Sequence, residues 1–453
     1  MSHYFGTDGF RGEAGSTLTA SHAYRIGRFL GHYYKKEGER VRVAVGKDTR
    51  RSSYMLEYAL AAGLVASGAD AYMLHVTTTP SVSFITRSDN MDCGVMISAS
   101  HNPFYDNGIK LVNRQGEKME DDVLCAIEAY LDTPDRKDFV VHCATGEDVG
   151  RIIDYSEGRN RYVAYLISLA KHSYRGLRIG LDCANGSAWR IAESVFCALG
   201  ARVMTIGCEP DGLNINREVG STHMERLVAL VKNNHLDAGF AFDGDADRCL
   251  AVDECGNILT GDHILYALAG EWQRRGLLAG NTVVTTVMSN MGLYRALDEA
   301  GMRYEQTVVG DRFVYENMVQ NGYALGGEQS GHIILRKYAT TGDGILTAIM
   351  LMEQIVESKQ PLSALAAPVV MFPQVSRSVR VPDKDAAVSH PAVRAAVDAV
   401  SHRLGGGGRI LLRKSGTEPV VRVMVECESE ELCRACVGEV IEAMRGQGLT
   451  KEE

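Results

Sequence analysis

A serine hydroxyl stands where an apolar stretch of the chain gives way to a polar loop. The apolar residues Val95–Ile97 are typical of the end of a strand, and Ser100 follows them closely. Asn102, Pro103 and the Asp106–Gly108 stretch are turn formers, which predicts a tight loop rich in backbone groups. A hydroxyl in such a place usually bonds to the local backbone, so Ser100 alone favours an ordinary turn. Other loops of the chain make it a candidate for chemistry.

Three aspartates alternate over five residues in a second polar loop, as Asp243, Asp245 and Asp247. Such carboxylates repel one another by roughly 4 kcal/mol per pair at about 4 Å, if the effective dielectric constant is about 20. A cation relieves this repulsion, and carboxylate oxygens suit Mg²⁺ or Ca²⁺. We therefore expect a metal site. A solvated acidic turn is the weaker alternative, because the apolar stretches 238–242 and 249–252 would return the loop to a sheet edge.

A calcium-binding EF-hand is a rival interpretation of the same loop. Glu254 would complete its ligand set, since it stands at the twelfth position counted from Asp243. The sixth position, however, is Arg248, where the sharp turn of an EF-hand needs glycine. The flanks also have the pattern of strands, whereas an EF-hand has helices. The EF-hand interpretation is therefore rejected.

A third polar loop, Gly326–His332, follows the short apolar stretch Tyr323–Leu325. Ligands bind at strand ends in open α/β sheets. Three similar domains could therefore direct three loops into one cleft.

A fourth loop, near the C-terminus, has the composition of a phosphate site. Between two predicted strands the chain places Arg413, Ser415, the Gly416 backbone, Thr417 and Arg422. These donors suit a dianionic phosphate. A surface hairpin with incidental charges is the alternative, but two arginines and two hydroxyls around one glycine favour the anion site.

Two further cations are candidates with ordinary alternatives. The glycines of Phe5–Gly12 would let the backbone pass close to a ligand, and Arg11 could contact a phosphate or carboxylate. A plain glycine-rich turn is an equal alternative. Lys110 follows Asn107–Ile109 just beyond the serine loop, and its ordinary interpretation is a solvated loop lysine.

The segments that carry these loops repeat an order of strand, helix and strand. That order begins at residues 41, 178 and 282 and predicts three α/β domains. The pattern changes after Phe372-Pro373, which predicts a small separate domain. We divide the chain into 1–150 with the serine loop, 151–255 with the metal loop, 256–368 with the third loop, and 369–453 with the phosphate loop.

Composition excludes several classes of protein. A chain of 453 residues is too long for one core, and its net charge of -9 argues against a general nucleic-acid binder. The eleven cysteines lack metal-type spacing, and Cys93, Cys249 and Cys427 lie in apolar runs, which indicates reduced, buried thiols. No apolar run approaches a membrane span, and Met1–Arg11 is unlike a signal peptide. We expect a cytoplasmic protein that binds neither nucleic acid nor membrane.

Four loops of the chain resemble, in the same order, the motifs of the α-D-phosphohexomutase superfamily. They are the serine loop, the aspartate loop, the Gly-Glu-Gln-Ser-Gly-His loop and the Arg-Lys-Ser-Gly-Thr-Glu-Pro loop. The resemblance covers essentially the whole chain and is strongest to bacterial members that act on glucosamine phosphate. It implies an α/β fold with three related α/β domains with mixed sheets. A smaller α+β C-terminal domain, similar to the TATA-binding protein, would complete a central cleft.

The resemblance also implies an activity, that of an intramolecular phosphotransferase. Glucosamine 6-phosphate and glucosamine 1-phosphate would interconvert through a phosphoserine and a glucosamine 1,6-bisphosphate intermediate, feeding UDP-N-acetylglucosamine and peptidoglycan precursors. Mg²⁺ would be the cofactor, and glucosamine 1,6-bisphosphate or another bisphosphate the activator. The phosphosugar is the expected partner. The sequence does not determine the oligomeric state, and a homodimer is one expectation.

Roles follow from the resemblance residue by residue. Ser100 matches the phosphoserine, which would share the metal with Asp243, Asp245 and Asp247. Lys110 and His332 match proton carriers, and which of them is the base stays open. Arg11 is expected to belong to the catalytic residues and keeps its place in the N-terminal motif, although Phe10 stands where an aliphatic residue is expected. The residues expected to bind substrate are Arg248, Glu328, Ser330, Arg413, Ser415, Gly416, Thr417 and Arg422.

Three other functions stay open as alternatives. Phosphoglucomutase or phosphomannomutase activity is the main one. A metal-dependent sugar phosphatase, which would use the aspartate loop to hydrolyse phosphate esters, is disfavoured because no carboxylate nucleophile is needed if Ser100 carries the phosphate. A non-catalytic sugar-phosphate binder is disfavoured by the coincidence of serine and metal loop.

Overall fold

The structure, a computed structural model, describes residues 4–6, 8–133, 141–415 and 419–451. The chain forms two compact units. The larger unit comprises Met1–Met288 and Ala300–Ala367, and the smaller unit comprises Ser289–Glu299 and Pro368–Glu453. The larger unit contains three α/β modules, each built on its own sheet.

The first module is built on a seven-stranded sheet. Its strands are β1 (Phe5–Gly6), β2 (Gly9–Glu13), β3 (Arg42–Lys47), β4 (Asp70–Val76), β5 (Cys93–Ile97), β6 (Asp106–Val112) and β7 (Ile152–Asp154). Its helices are α1 (Ala20–Tyr33), α2 (Arg51–Ala66), α3 (Thr79–Ser88) and α4 (Asp121–Asp132). The strand order is β1-β2-β6-β5-β3-β4-β7. β3 runs parallel to β4 and β5, while β6 runs antiparallel to β5 and β2, so the sheet is mixed.

The Asp106–Gly108 stretch does not form the predicted turn. It begins β6 and pairs with residues 11–13 of β2. The Asn107 amide also donates to Ser53 Oγ at 3.0 Å, so pairing and a buried side-chain bond override the local turn preference. Lys110 consequently lies in this strand, opposite Met96 of β5, and not in a loop.

The second module contains β8 (Arg178–Asp182), β9 (Arg202–Ile206), β10 (Ala238–Phe242), β11 (Cys249–Asp253) and β12 (Ile258–Leu259). Its helices are α5 (Ser156–Leu169), α6 (Ile191–Ala198) and α7 (Glu225–Asn234). The strand order is β12-β11-β10-β8-β9. The predicted metal loop connects β10 to β11, which are antiparallel, so strands flank it as predicted.

The third module contains β13 (Thr282–Thr286), β14 (Arg303–Thr307), β15 (Leu325–Gly327) and β16 (Ile333–Leu335), in the order β14-β13-β15-β16. Its helices are α8 (Gly261–Arg274), α10 (Asp311–Asn321), α11 (Gly344–Ser358) and α12 (Leu362–Ala366), whereas α9 (Met291–Glu299) belongs to the smaller unit. Asp343 caps the N-terminus of α11, most of which is buried.

The smaller unit is an α+β structure. Its antiparallel strands β17 (Gln374–Arg380), β18 (Gly408–Lys414) and β19 (Val420–Cys427) lie in the order β17-β19-β18. Helices α13 (Lys384–Ser389), α14 (Pro391–Leu404) and α15 (Glu430–Gly446) complete it. Every second residue of β19 from Val421 to Val425 is a valine, and these side chains form the core of the smaller unit together with residues of α14 and α15. The predicted α/β class, with three α/β modules and a smaller α+β one, is confirmed.

Cys93, Cys249 and Cys427 are buried, as predicted from their apolar surroundings. Every cysteine is a free thiol, and four of them are exposed, namely Cys125, Cys143, Cys197 and Cys255. In the described part of the chain, no helix combines the length and apolarity that crossing a membrane requires.

Candidate active site

Ser100 is buried at the end of β5, with 1% of its surface exposed. Its φ angle of 52° is left-handed, a conformation that serine seldom adopts. The Ser100 N–H donates to Ser98 Oγ at 3.0 Å, and Ser98 Oγ in turn donates to Asp48 at 2.7 Å. The Ser100 hydroxyl donates to Asp243 of the second module. The loop therefore directs the hydroxyl at the aspartate cluster.

Asp243, Asp245 and Asp247 are buried, at 1%, 0% and 5% exposure, so the alternative of a solvated acidic turn is wrong. One carboxylate oxygen of each lies within 4.8 Å of the others. Burial, with the charges of its two neighbours, raises the pKa of Asp243 well above its usual value. Among the described residues, Asp245 Oδ1 and Asp247 Oδ1 are buried without a hydrogen-bond partner. Three clustered carboxylates, two of which have a buried oxygen without a hydrogen-bond partner among the described residues, fit a hard divalent cation.

Lys110 lies among carboxylates, with 7% of its surface exposed. Its Nζ is 2.7 Å from Asp245 Oδ2, 3.2 Å from Asp247 Oδ2 and 3.4 Å from Asp8 Oδ1. Burial acts to lower the pKa of Lys110, but these three carboxylates outweigh it and hold the pKa well above its usual value. The interpretation of Lys110 as a solvated loop lysine is wrong, and the side chain is a buried cation beside the aspartate cluster.

Three further charged residues lie at the site and were not predicted from the sequence: Asp8, Lys118 and Asp311. Lys118 Nζ lies 2.7 Å from Asp311 and 3.6 Å from Asp8, and Asp8 also pairs with Arg11. The only local signal was the position of Asp8 in the glycine-rich stretch with Arg11. Lys118 and Asp311 stand 193 residues apart, and no motif connects them.

His332 is 3% exposed, and its Nε2 lies 3.3 Å from Asp311 Oδ2. This contact lacks hydrogen-bond geometry, and neither ring nitrogen has a hydrogen-bond partner among the described residues. A buried imidazole with both nitrogens unsatisfied beside a carboxylate is suited to exchange a proton with a ligand.

A cavity of about 370 Å³ in the larger unit collects these groups. Glu328 accepts the Gly310 N–H at 3.1 Å, and burial raises the pKa of its carboxyl group. Ser330 Oγ and Arg248 Nε are buried without a hydrogen-bond partner among the described residues. These two atoms of the cavity wall are therefore available to form hydrogen bonds with a ligand. The charged and polar lining includes Asp8, Arg11, Asp247, Arg248, Asp311, Glu328, Ser330 and His332.

The three loops of the larger unit thus meet. The first module supplies Ser100 and the second supplies its partner Asp243. The cavity adds Glu328, Ser330 and His332 of the third module to Asp247 and Arg248 of the second.

In the smaller unit, Arg413 and Arg422 lie opposite each other on β18 and β19, with Ser378 of β17 in the same row. They stand on the strands themselves, not between two strands as predicted. Burial and the charge of Arg422 lower the pKa of Arg413. Two facing arginines favour a bound anion, because like charges directly across a sheet repel. Ser415 is buried at the end of β18, while Gly416 and Thr417 lie outside the described residues.

Four family models match the chain in order. The models described as "Phosphoglucomutase/phosphomannomutase, alpha/beta/alpha domain I", "domain II" and "domain III" match residues 2–138, 160–256 and 260–371. The model of the "C-terminal domain" of the same family matches residues 378–443. The chain belongs to the phosphoglucomutase/phosphomannomutase family, and it is an enzyme of the phosphohexomutase class.

Relatives similar over the full length narrow this class. A phosphoglucosamine mutase of Lachnospira eligens is 59% identical over 450 residues, 99% of either chain. One from Lachnoclostridium phytofermentans is 54% identical over 451 residues, 100% of either chain. A solved phosphoglucomutase/phosphomannomutase family protein of Burkholderia thailandensis, 25% identical, superposes with a TM-score of 0.81, covering 99% of this chain and 98% of that one. Within its family the chain groups with the phosphoglucosamine mutases, which confirms the sequence prediction.

Proposed function

We propose that this enzyme interconverts glucosamine 6-phosphate and glucosamine 1-phosphate, and that Ser100 carries the phosphoryl group between them. The observation that carries the proposal is the hydrogen bond from Ser100 Oγ to Asp243, because it places a buried hydroxyl against a buried cluster of three carboxylates. The full-length similarity to phosphoglucosamine mutases supports the choice of sugar.

Mg²⁺ is the proposed cofactor, since the buried oxygens of the aspartate cluster fit a small hard cation. Asp243, Asp245, Asp247 and the oxygen of Ser100 would hold it. When bound, the ion supplies positive charge that a phosphoserine needs beside three carboxylates. Lys110 and Arg248 are among the chain's own cations at this site, and they stabilise the charge of the transferring group.

Each half-reaction moves one phosphoryl group between Ser100 Oγ and a sugar hydroxyl. The sugar oxygen forms its bond to phosphorus as the bond to Ser100 Oγ breaks; the sugar hydroxyl gives up its proton, and Ser100 Oγ gains one in the end. Lys110 and His332 are the proposed proton carriers. The carboxylates keep Lys110 protonated, which suits a donor, and the unsatisfied nitrogens of His332 suit an acceptor.

Substrate orientation is proposed to come from two groups of residues. Glu328 and Ser330 would bind sugar hydroxyls or the amino group, and Arg11 and Arg248 would contact phosphate in the same cavity. The phosphate that does not react would bind the fourth loop, through Arg413, Ser415, Gly416, Thr417 and Arg422. Because the bisphosphate intermediate must turn around between the transfers, either of its phosphates must fit that loop.

The other expectations remain proposals. Glucosamine 1,6-bisphosphate or another bisphosphate is the proposed activator, because it can rephosphorylate Ser100. We propose a cytoplasmic enzyme that acts without nucleic acid or membrane, as a homodimer. The proposed domains 1–150, 151–255, 256–368 and 369–453 differ from the modules of the structure in two places, since β7 pairs with β4 of the first sheet and α9 belongs to the smaller unit.

Phosphorylation of Ser100 tests the function. After incubation with Mg²⁺ and a hexose 1,6-bisphosphate, we expect the intact mass to rise by one phosphoryl group, located on Ser100. Ser100→Ala should gain none and should lose mutase turnover, while its far-ultraviolet circular dichroism stays unchanged. Ser187→Ala is the matched control, since it removes an equally buried hydroxyl with no hydrogen-bond partner among the described residues.

The same preparation distinguishes the alternatives. Release of inorganic phosphate in proportion to substrate consumed would favour the phosphatase. Binding of the phosphosugar without turnover or phosphorylation would favour the non-catalytic binder.

A further inference from the structure

Left-handed backbone occurs in the serine loop and in several loops of the second module. Non-glycine residues with positive φ include Ser100 itself, Ala184, Asn185, Asn216, Glu218 and Ala246. Such conformations persist only where the surroundings fix them, and they concentrate at functional sites. Of these residues, Asn216, with φ of 59°, makes hydrogen bonds to the serine loop through its side chain.

Asn216 belongs to the second module, yet its side chain binds the backbone of the first. Its Nδ2 donates to the Ser100 carbonyl at 2.9 Å and to the Asn102 carbonyl at 3.0 Å. These two bonds use both amide protons of the side chain, and Asn216 is largely buried. The side chain therefore holds two carbonyl groups on either side of His101.

The same two carbonyls receive a second donor from the first module. Arg50 Nη2 donates to the Ser100 oxygen at 3.2 Å and also to the Asn102 oxygen. Arg50 is fully buried and paired with Asp48, whose carboxylate also accepts the hydroxyl of Ser98. The serine loop is thus fixed from both modules, by Arg50 on one side and Asn216 on the other.

The orientation of the hydroxyl depends on this arrangement. A rotation of the Ser100 peptide towards ordinary φ values would carry Oγ away from Asp243. The opposite loop comes so close that a Cβ on Gly244 would lie 2.4 Å from the Ser100 oxygen. The Asn216 side chain thus contacts the backbone of the serine loop, and Asn216 is not among the residues that line the 370 Å³ cavity.

We propose that Asn216 is a positioning residue for the reaction: it holds the Ser100 peptide in its left-handed conformation and so keeps the hydroxyl, or its phosphate ester, at the aspartate cluster. This inference rests on the proposed function, because it assumes that Ser100 carries the phosphoryl group. It assigns the second module a role in orienting the nucleophile in addition to metal binding.

Asn216→Gly is the decisive variant. Glycine adopts positive φ without strain, so the backbone conformation is retained while the two donors are lost. We expect kcat to fall about tenfold or more with KM unchanged, because substrate contacts persist while the nucleophile is misplaced. The rate at which a bisphosphate phosphorylates Ser100 should fall by a similar factor. Asn216→Asp, nearly equal in size but without the donors, should be at least as slow as the glycine variant.

The matched control is Asn185→Gly. Asn185 is also a buried, left-handed asparagine of the second module, but its side chain bonds Glu209 and Asn214 of its own module. Asn185→Gly should keep kcat near that of the wild type, with a similar shift in thermal midpoint. Equal kcat for Asn216→Gly and the wild type, or equal losses in both glycine variants, would overturn the positioning role. If wild-type enzyme neither turned over nor accepted a phosphoryl group on Ser100, the proposed function would fail first, and this inference with it.

Discussion

Glu328 carries its carboxyl group in surroundings that disfavour a negative charge. Burial, and then the charge of Asp311, raise its pKa, while His332 and Arg248 act in the opposite direction. Its Oε1 is occupied by the Gly310 N–H at 3.1 Å. A cationic group in the cavity would therefore stabilise this carboxylate, and the amino group of glucosamine phosphate is such a group.

Glu328→Gln should narrow the preference for the amino sugar. A charge-assisted hydrogen bond contributes roughly 1.5 to 3 kcal/mol, which corresponds to about a tenfold to hundredfold preference. We expect kcat/KM for glucosamine phosphate to exceed that for glucose or mannose phosphate by this factor in the wild type, and by less in the variant. The measurement is kcat/KM for the three sugar phosphates on one preparation of each protein.

The control for this comparison is Glu353→Gln, because Glu353 is also buried and accepts a hydrogen bond from Tyr174 at 3.0 Å, and it lines neither the 370 Å³ cavity nor the neighbouring cavity that contains His332. It should leave the preference unchanged. A small preference in the wild type would mean that the loop recognises only the shared 3- and 4-hydroxyls. Equal or better turnover of glucose 1-phosphate would favour phosphoglucomutase activity with the phosphoserine mechanism intact.

Residues that act through contacts with distant parts of the chain could not be predicted from the sequence. Ser100 and the alternating aspartates have local patterns that indicate chemistry. Lys118 and Asp311 have none, since each is an ordinary charged residue until folding brings their side chains within 2.7 Å. The role of Asn216 depends equally on hydrogen bonds to residues more than 100 positions away.

Among the secondary-structure elements, the residues at which strands end could be predicted from the sequence more easily than the residues at which strands begin. Apolar runs such as Ala238–Phe242 indicate a buried strand, and the polar loop after them marks its end. The turn predicted at Asp106–Gly108 failed because asparagine and glycine favour turns locally, whereas pairing with β2 and a buried amide decide the outcome. The pairing partner of residues 106–108 is the N-terminal strand β2, which is far away in the sequence. The local sequence of residues 106–108 therefore does not indicate this pairing.

The sheet of the smaller unit provides a prediction about phosphate. Arg413→Ala removes one of two facing arginines that repel each other. In the absence of ligand, the stability of the variant should therefore be close to that of the wild type or slightly higher. Inorganic phosphate should raise the thermal midpoint of the wild type more than that of the variant, because it binds only the native sheet. With phosphosugar, the variant should show a higher KM and a lower kcat together, since phosphate binding orients the sugar. Thermal denaturation with and without phosphate, and steady-state kinetics, measure these effects.

Arg434→Ala is the control for this prediction, as Arg434 is an exposed arginine of the same unit, paired with Glu430 on α15. Its response to phosphate should match that of the wild type. Altered stability of Arg413→Ala with intact kinetics and an intact phosphate response would refute the anion site.

In the larger unit as a whole, helix α11 connects the second and third modules. Its cap Asp343 accepts the hydroxyl of Tyr162 of the second module at 2.7 Å, and the Gly344 N–H donates to Ala246 of the metal loop at 3.0 Å. Further along, Gln354 donates to Ala267 of α8 at 2.8 Å. The family motifs indicate the loops that bind substrate, but they give no sign of this connection, because it uses buried residues with ordinary helix patterns.

The cap of α11 should make this connection sensitive to pH. Burial raises the pKa of Asp343 to about 6 from 3.8, although hydrogen bonds from Leu346 and Tyr162 act against the increase. The folded state therefore binds the proton more tightly than the unfolded state, so its stabilising effect is complete below about pH 4 and is lost as pH rises through about 6. At about 1.4 kcal/mol per pH unit, the loss amounts to about 3 kcal/mol.

We expect the stability of the wild type relative to Asp343→Asn to decrease between about pH 4 and pH 7 and to stay constant above that, because asparagine does not titrate. Urea unfolding at a series of pH values, followed by the fluorescence of Trp272 on the adjacent helix α8 in a Trp189→Phe background, measures the difference. Tyr162→Phe removes a hydrogen bond that favours the charged form, so it should shift the decrease to higher pH. A difference between wild type and Asp343→Asn that stays the same from pH 4 to pH 8 would show that Asp343 is ionised in the folded state throughout this range, and that α11 connects the modules independently of pH.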